Sequence, residues 1–293
     1  MTRNQFRFFD RLRVRWAEID AQKIVFNGHY LMYFDTAVAG YWRALALPYE
    51  QTMQQLGGDM FVRKATLEYL ASAVYDDVLH VGVRCTRIGN SSVLFSAAAF
   101  RQDQALVTGE LVYVFADPHS QTSKPVPQPL REAFIAYEAG EDMVRVKLGS
   151  WAELGADAQA LRTEVFVTEQ KIPASLEWDE SDATCVHAVA YNRLGLPLGT
   201  GRWLQQAPGV AKIGRMAVIA PMRSAAVGGR LLAALMRSAK EAGNDRVMLH
   251  AQTNAMAFYG RAGFEVSGPV FEEAGIAHVE MTKSLCDPAA GSR

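Results

Sequence analysis

RMAVIAPMRSAAVGGRLLAALMRSAK occupies residues 215–240. Its opening continues the alternating run KIGRMAVI (212–219), which predicts a strand, and the spacing of apolar residues over 225–240 predicts a helix. Between them, Gly228 and Gly229 fall in the first turn of that helix, where each costs about 1 kcal/mol relative to alanine. Two readings account for that cost. A helix N-terminus exposes unpaired N–H donors and about half a positive charge, so glycines there let a bulky anion approach the backbone. Small residues also let a helix pack closely on a strand. The residues alone leave both open, with Arg223 and Arg230 able to add charge to the first.

Around this strand–loop–helix unit the pattern is mixed. WAELGADAQALRTEVFVTEQ (151–170) predicts a helix, and HAVAYN (187–192), GTGRWL (199–204) and MLHAQ (248–252) predict strands. NAMAFYGRAGF (254–264) predicts a short helix and AHVEMTKSL (277–285) a final strand. The first half reads differently. RLRVRWAEID (11–20) alternates as a strand does, Asn27-Gly28 offers a helix N-cap, and HYLMYFDTAVAGYWRALAL (29–47) is apolar nearly all round, which predicts a buried helix. Four further alternating runs, at 61–69, 77–88, 92–100 and 105–116, are joined by short turns and so predict antiparallel pairing. Five strands wrapped on one long helix make an α+β layer arrangement. DPHSQTSKPVPQPL (117–130), with four prolines, marks the approach to a linker.

A chain of 293 residues, 49% apolar, is expected to form two domains with substantial cores. The net charge is −1, with no basic excess in either half, which argues against nucleic acid as partner. Cys85, Cys185 and Cys286 form no CxxC pair and fit a reducing compartment rather than a disulfide framework. The N-terminus lacks the apolar core of a signal peptide, and no run of 18 apolar residues occurs. The expectation is a cytoplasmic protein that does not engage the membrane.

Two resemblances sharpen this. AEIDAQKIVFNGHYLMYFDTA carries the Asp-x-x-x-x-Val-x-x-x-x-Tyr spacing and, with VRKATLEYLASAVYDDVL (62–79), resembles hot-dog acyl-CoA thioesterases of the 4-hydroxybenzoyl-CoA thioesterase type over about residues 6–135. The 223–229 loop resembles the Arg/Gln-x-x-Gly-x-Gly/Ala loop of GNAT-superfamily acetyltransferases, and NAMAFYGRAGF resembles that superfamily's later Asn…Tyr…Gly-Phe segment, over about 143–285. One departure stands out, since the first loop glycine is Ala226 here. The implied organisation is a hot-dog domain over 1–138, a GNAT domain with a mixed sheet over 139–286, and a tail over 287–293.

The resemblances also imply a chemistry. Asp20 becomes the catalytic carboxylate of thioester hydrolysis, as nucleophile or general base, although from residue type alone it could simply cap a turn. Amides at Asn27 and Gly28 would polarise the thioester carbonyl; many relatives carry histidine where Asn27 stands, and His29 reads as a helix-surface side chain. Lys64, Glu68 and Tyr69 match the family pattern and would line a site shared across a dimer or tetramer. In the second half, backbone at Met216, Ala217 and Val218 would hold the thioester and pantetheine, the loop Arg223, Ser224, Ala225, Ala226, Val227, Gly228 and Gly229 the pyrophosphate, and Asn254 the pantetheine. Tyr259 would protonate the leaving thiolate, or else is a core aromatic. The acidic stretch ASLEWDESDATCVH (174–187) is a solvated loop or a receiver for a cationic amine, with Glu177 or His187 as base. Its spacing matches no metal loop, and no metal is expected.

Coenzyme A, as acetyl-CoA or acyl-CoA, is thus the substrate expected in both halves, with an unidentified amine as acceptor. The leading reading is a bifunctional enzyme that hydrolyses acyl-CoA and transfers an acyl group to an amine. An acyl-CoA-binding regulator with one active domain, and a scaffold that oligomerises through its first half, are the other readings.

Overall fold

The computed structural model describes residues 1–286, so the tail expected at 287–293 lies outside the described residues. The chain divides into two compact units, one spanning Met1–Met143 and the other running from Val144.

The first unit is a five-stranded antiparallel sheet on a long helix. Strands β1 (Phe8–Arg13), β2 (Asp59–Tyr69), β3 (Val78–Ile88), β4 (Ser92–Arg101) and β5 (Gln104–Ala116) lie in the order β1-β3-β4-β5-β2. Helix α1 (Asn27–Ala44) presents Tyr30, Tyr33, Phe34, Ala37, Val38 and Tyr41 to the sheet, all buried. Helix and sheet meet closely at Gly109 of β5, where a Cβ would come within 2.7 Å of the Phe34 ring, and at Gly40 of α1, where one would come within 2.7 Å of the Phe8 ring. Helix α2 (Tyr49–Leu56) ends on Gly57 in the left-handed conformation, and α3 (Gln128–Glu138) follows the proline-rich stretch.

Two expectations change here. The first strand is shorter and earlier than 11–20: after Val14 bonds Asp77 O, the chain leaves the sheet and Trp16–Glu18 forms a 3-10 turn. That turn is closed because Glu18 accepts hydrogen bonds from both the backbone and the guanidinium of Arg15. The N-cap of α1 is Phe26, so Asn27 and Gly28 are the helix's first two residues rather than its cap.

The second unit is a seven-stranded mixed sheet. Its strands are β6 (Val144–Gly149), β7 (Val186–Asn192), β8 (Pro197–Ala207), β9 (Val210–Val218), β10 (Arg246–Gln252), β11 (Glu265–Glu273) and β12 (Ile276–Ser284), in the order β11-β12-β10-β9-β8-β7-β6. Helix α4 (Trp151–Arg162) runs on as a π-helical turn over Thr163–Glu169, and α5 (Ala174–Glu177) is a single turn. Helix α6 (Val227–Glu241) packs Leu231, Leu232 and Leu235 inward, and α7 (Met256–Arg261) is short. All pairings are antiparallel except β9 with β10. No described helix is long and apolar enough to cross a membrane.

Candidate active sites

In the first unit, residues 18–26 fold back as a narrow hairpin. Phe26 N bonds Glu18 O at 3.0 Å, Ile19 bridges Val25, and Asp20 N bonds Ile24 O at 2.9 Å. Asp20 opens the turn, and its Oδ1 accepts a hydrogen bond from Gln22 N at 2.8 Å. The carboxylate therefore does cap the turn, but through Oδ1; among the described residues Oδ2 is not taken up. The hairpin runs into α1, whose first amides, at Asn27 and Gly28, have no carbonyl four residues back inside the helix. Both residues are exposed.

Tyr69, at the end of β2, donates to Asn27 O at 3.1 Å, which ties the strand to the helix start. Lys64 and Glu68 are exposed on the same strand. His29 sits edge-on to Phe26 at 5.9 Å.

The sequence reading missed Glu18. This carboxylate is 3% exposed and accepts from Tyr33 Oη at 2.7 Å as well as from Arg15, pinning the Asp20 hairpin to α1. Burial opposes its ionisation, yet the bonds from Arg15 and Tyr33 outweigh burial and hold the carboxyl below its usual range. The signal was present in RLRVRWAEID, where Glu18 shares parity with Leu12 and Val14 on what should be an apolar face.

In the second unit, the parallel pairing of β9 and β10 covers only Val210–Lys212 against Arg246–Met248. Beyond Lys212 and Met248 the strands part, so on the β10 side the backbone of Gly214–Val218 borders an opening, while its other side stays paired with β8. A bulge at Arg215, with φ of 53°, shifts the register of β9 against β8 at the same level. Met216, Ala217 and Val218 occupy this stretch. Immediately beyond, Ser224 and Ala226 take left-handed conformations (φ 67° and 60°), and Ala226 is the N-cap of α6. The amides of Val227, Gly228 and Gly229 open the helix, while Arg230 N already bonds Ala226 O.

The two glycines now separate. A Cβ at Gly228 would meet Phe258 at 3.4 Å, an ordinary contact, whereas one at Gly229 would meet no atom within 4 Å. Close packing requires glycine at neither position. Arg223 does not reach out from the loop: its fork is bonded to Glu169 at 2.7 and 2.6 Å, and Nε donates to Val218 O at 3.1 Å. It braces the loop against the π-helical turn.

A cavity of about 630 Å³ lies against the opened strands, lined by Met216, Tyr259, Glu177, Asp179, Arg215 and His250 among others. Tyr259 is buried, edge-on to Phe258 and Phe264, and burial pushes its hydroxyl up to about 12. Asn254 lies in the exposed 3-10 turn before α7.

The acidic stretch is neutralised from within the fold. Arg162, 1% exposed, donates to Glu177 at 2.6 Å and Asp182 at 2.8 Å and stacks over Trp178. Arg202 bonds Asp179 and Asp182, and Arg215 Nη2 stands 3.2 Å from Asp179. The Arg202 hydrogen bond holds the Asp179 carboxyl at about 2. Burial pushes Glu177 up, against the pull of Arg215 and Arg162. His187 is 1% exposed, with Nε2 2.8 Å from Asp182 O and its ring against Trp151; it does not line the cavity, and burial lowers its basicity. Among the described residues, no cluster of three or more His, Cys, Asp or Glu is placed to hold a metal ion.

Comparison with known proteins matches each unit separately. Residues 22–108 match the thioesterase superfamily model, and residues 153–285 match the acetyltransferase (GNAT) domain model. YjcF of Bacillus subtilis, named as an uncharacterized N-acetyltransferase, is 41% identical over 128 residues, covering 43% of this chain and 90% of its own. A protein of Aquifex aeolicus designated a candidate esterase is 32% identical over 99 residues, 34% of this chain and 77% of its own. The acyl-CoA thioesterase YbgC of Haemophilus influenzae is 23% identical over 123 residues, 42% of this chain and 90% of its own. The chain belongs to both families, joining a thioesterase-superfamily domain of hot-dog fold to a GNAT acetyltransferase domain.

Proposed function

We propose that the chain is a bifunctional CoA-thioester enzyme, hydrolysing acyl-CoA in its first domain and transferring an acetyl or acyl group from CoA to an amine in its second. One observation carries this reading. Each domain leaves a helix N-terminus open beside a group able to act on a thioester: α1 beside the Asp20 hairpin, and α6 beside the parted strands and Tyr259.

In the first domain, amides at Asn27 and Gly28 polarise the thioester carbonyl, helped by the positive end of α1. Oδ2 of Asp20 attacks that carbon or takes a proton from the attacking water, and CoA departs as thiolate. A second copy of the chain completes this site with Lys64 and Glu68. The support for a second copy is β2 itself, an edge strand paired only with β5 that exposes Phe61, Val62 and Tyr69, with Leu70 just beyond it.

In the second domain, the loop from Arg223 to Gly229 holds the pyrophosphate and the Met216–Val218 backbone the pantetheine arm, near Asn254. The amine attacks the carbonyl carbon, the C–S bond breaks, and charge collects on sulfur. Burial holds the Tyr259 hydroxyl at about 12, above a thiol near 8.5, so complete proton transfer to the sulfur is uphill. Tyr259 therefore serves the sulfur as a hydrogen-bond donor more than as a full acid. With three free cysteines, we take the cytoplasm as the site of action.

The test separates the domains. CoA release from a panel of acyl-CoAs, without any amine, should occur in the wild type and collapse in Asp20→Asn. Acetyl transfer to amines should survive that substitution and fall in Tyr259→Phe. Hydrolysis by Asp20→Asn at the wild-type rate overturns the thioesterase mechanism.

A further inference from the structure

Acyl transfer to an amine leaves a surplus proton, and Tyr259, Glu177 and His187 are not placed to take it. Tyr259 is protonated throughout the neutral range, Glu177 is engaged by Arg162, and His187 is buried away from the cavity. Three other side chains line the same cavity: His250 on β10, Glu273 at the end of β11 and His278 on β12.

His250 Nδ1 lies 3.0 Å from Glu273 Oε2. An ionised carboxylate only accepts, so Nδ1 carries the hydrogen and, in the neutral ring, Nε2 carries the lone pair. The ring is held edge-on by Phe271 at 4.8 Å and stands on a strand rather than a loop. Burial opposes ionisation of Glu273, but the His250 bond and the nearby His278 and Lys212 outweigh it and keep the carboxyl below its usual range. His278 directs Nδ1 to Ile276 O, two residues back, at 2.8 Å, and among the described residues no carboxylate is hydrogen-bonded to its ring.

We propose that His250 is the general base of acyl transfer, with Glu273 as its positioning residue. This rests on the N-acyltransfer reading of the second domain. The amine proton passes to His250 Nε2 as the N–C bond forms; the C–S bond breaks with its electron pair on sulfur, and the proton returns through the imidazolium to the thiolate or to water. The products are amide and free CoA, with no other reactant consumed. The Glu273 carboxylate on Nδ1 fixes the tautomer and orientation of the ring and leaves Nε2 to accept the proton. The charged groups that share this face are Glu273, His278, Glu280 opposite His250 on β12 and held by Ser267, and Lys212 on β9. Across the cavity stand Glu177, Asp179, Arg202 and Arg215.

The test uses the full chain, acetyl-CoA, and spermidine, benzylamine and a blocked lysine peptide as acceptor probes. His250→Gln should lower kcat by about 10²- to 10⁴-fold while KM for acetyl-CoA stays within about twofold. Glu273→Gln should lose less than His250→Gln, in kcat and not in KM for acetyl-CoA, because the ring keeps a partner on Nδ1 that holds it less firmly, and Glu273→Asp should restore part of the loss. His278→Gln should leave kcat in place. Wild-type kcat in His250→Gln or in Glu273→Gln overturns the proposal. Heat protection by acetyl-CoA without transfer to any of the three amines counts instead against N-acyltransfer itself, and the base falls with it.

Discussion

At the scale of single residues, the first domain uses two carboxylates in different ways. Asp20 keeps one oxygen outside its turn, while Glu18 spends both of its oxygens on structure. Glu18→Gln should therefore lower kcat for thioester hydrolysis with little change in KM, since Glu18 anchors the hairpin carrying Asp20 but itself contacts no substrate. It should also cost about 1–3 kcal/mol at pH 7, because buried donors lose a charged acceptor. The sign with pH follows from a folded carboxyl held below its unfolded value. That contribution is present above the unfolded value near 4.3 and is lost as pH falls through the folded one. Melting curves of wild type and Glu18→Gln should thus differ at pH 7 and converge on acidification; a constant gap down to pH 3 would mean the carboxylate charge is not what stabilises. Little of this was legible from sequence, because Glu18 and Tyr33 lie 15 positions apart and only the folded hairpin brings them together. Asp20 was legible because its spacing to Val25 and Tyr30 is local.

At the scale of elements, the start of α6 offers a test in which stability and affinity move in opposite directions. Gly229 has open space where a Cβ would go and no left-handed φ, so Gly229→Ala should stabilise the domain by up to about 1 kcal/mol through helix propensity alone. If the pyrophosphate approaches that backbone, the same methyl should weaken acetyl-CoA binding by at least about tenfold. Calorimetric titration and melting with and without acetyl-CoA separate the two effects; unchanged affinity would remove Gly229 from the binding loop. The strands that alternate over a half-buried sheet were readable by period, as were α1, α4 and α6. β11 was not, because EVSGPVFEE is a mostly exposed edge strand broken by a bulge between Val266 and Val270. With β11 unseen, Glu273 had no address, and neither did its pairing with His250. The buried arginines were equally hidden: a run of acidic residues reads as solvated unless Arg162 and Arg202, from other elements, are known to face it.

At the scale of the whole molecule, the question is what covers β2. This strand runs for 11 residues at the edge of the first domain's sheet with one side unpaired, and a long exposed apolar edge is an aggregation site unless something pairs with it. Trp16, Phe26, Val74 and Tyr75 extend the exposed apolar surface within the same domain. A second copy would offer the same strand in return, which would close the contact by two-fold symmetry and hide the apolar side chains on both. Light scattering should then report a mass of at least twice the 32.2 kDa chain. Val62→Asp combined with Leu70→Asp places like charges along that edge and should shift the protein to monomer, without touching Asp20 or Tyr259. If Lys64 and Glu68 act across the contact, thioester hydrolysis should fall with dimer content as the protein is diluted, while acyl transfer, whose cavity is lined by one chain, should not. A charged-edge variant that stays dimeric, or a monomer that hydrolyses at the full rate, would show that the first domain's site is complete within a single copy.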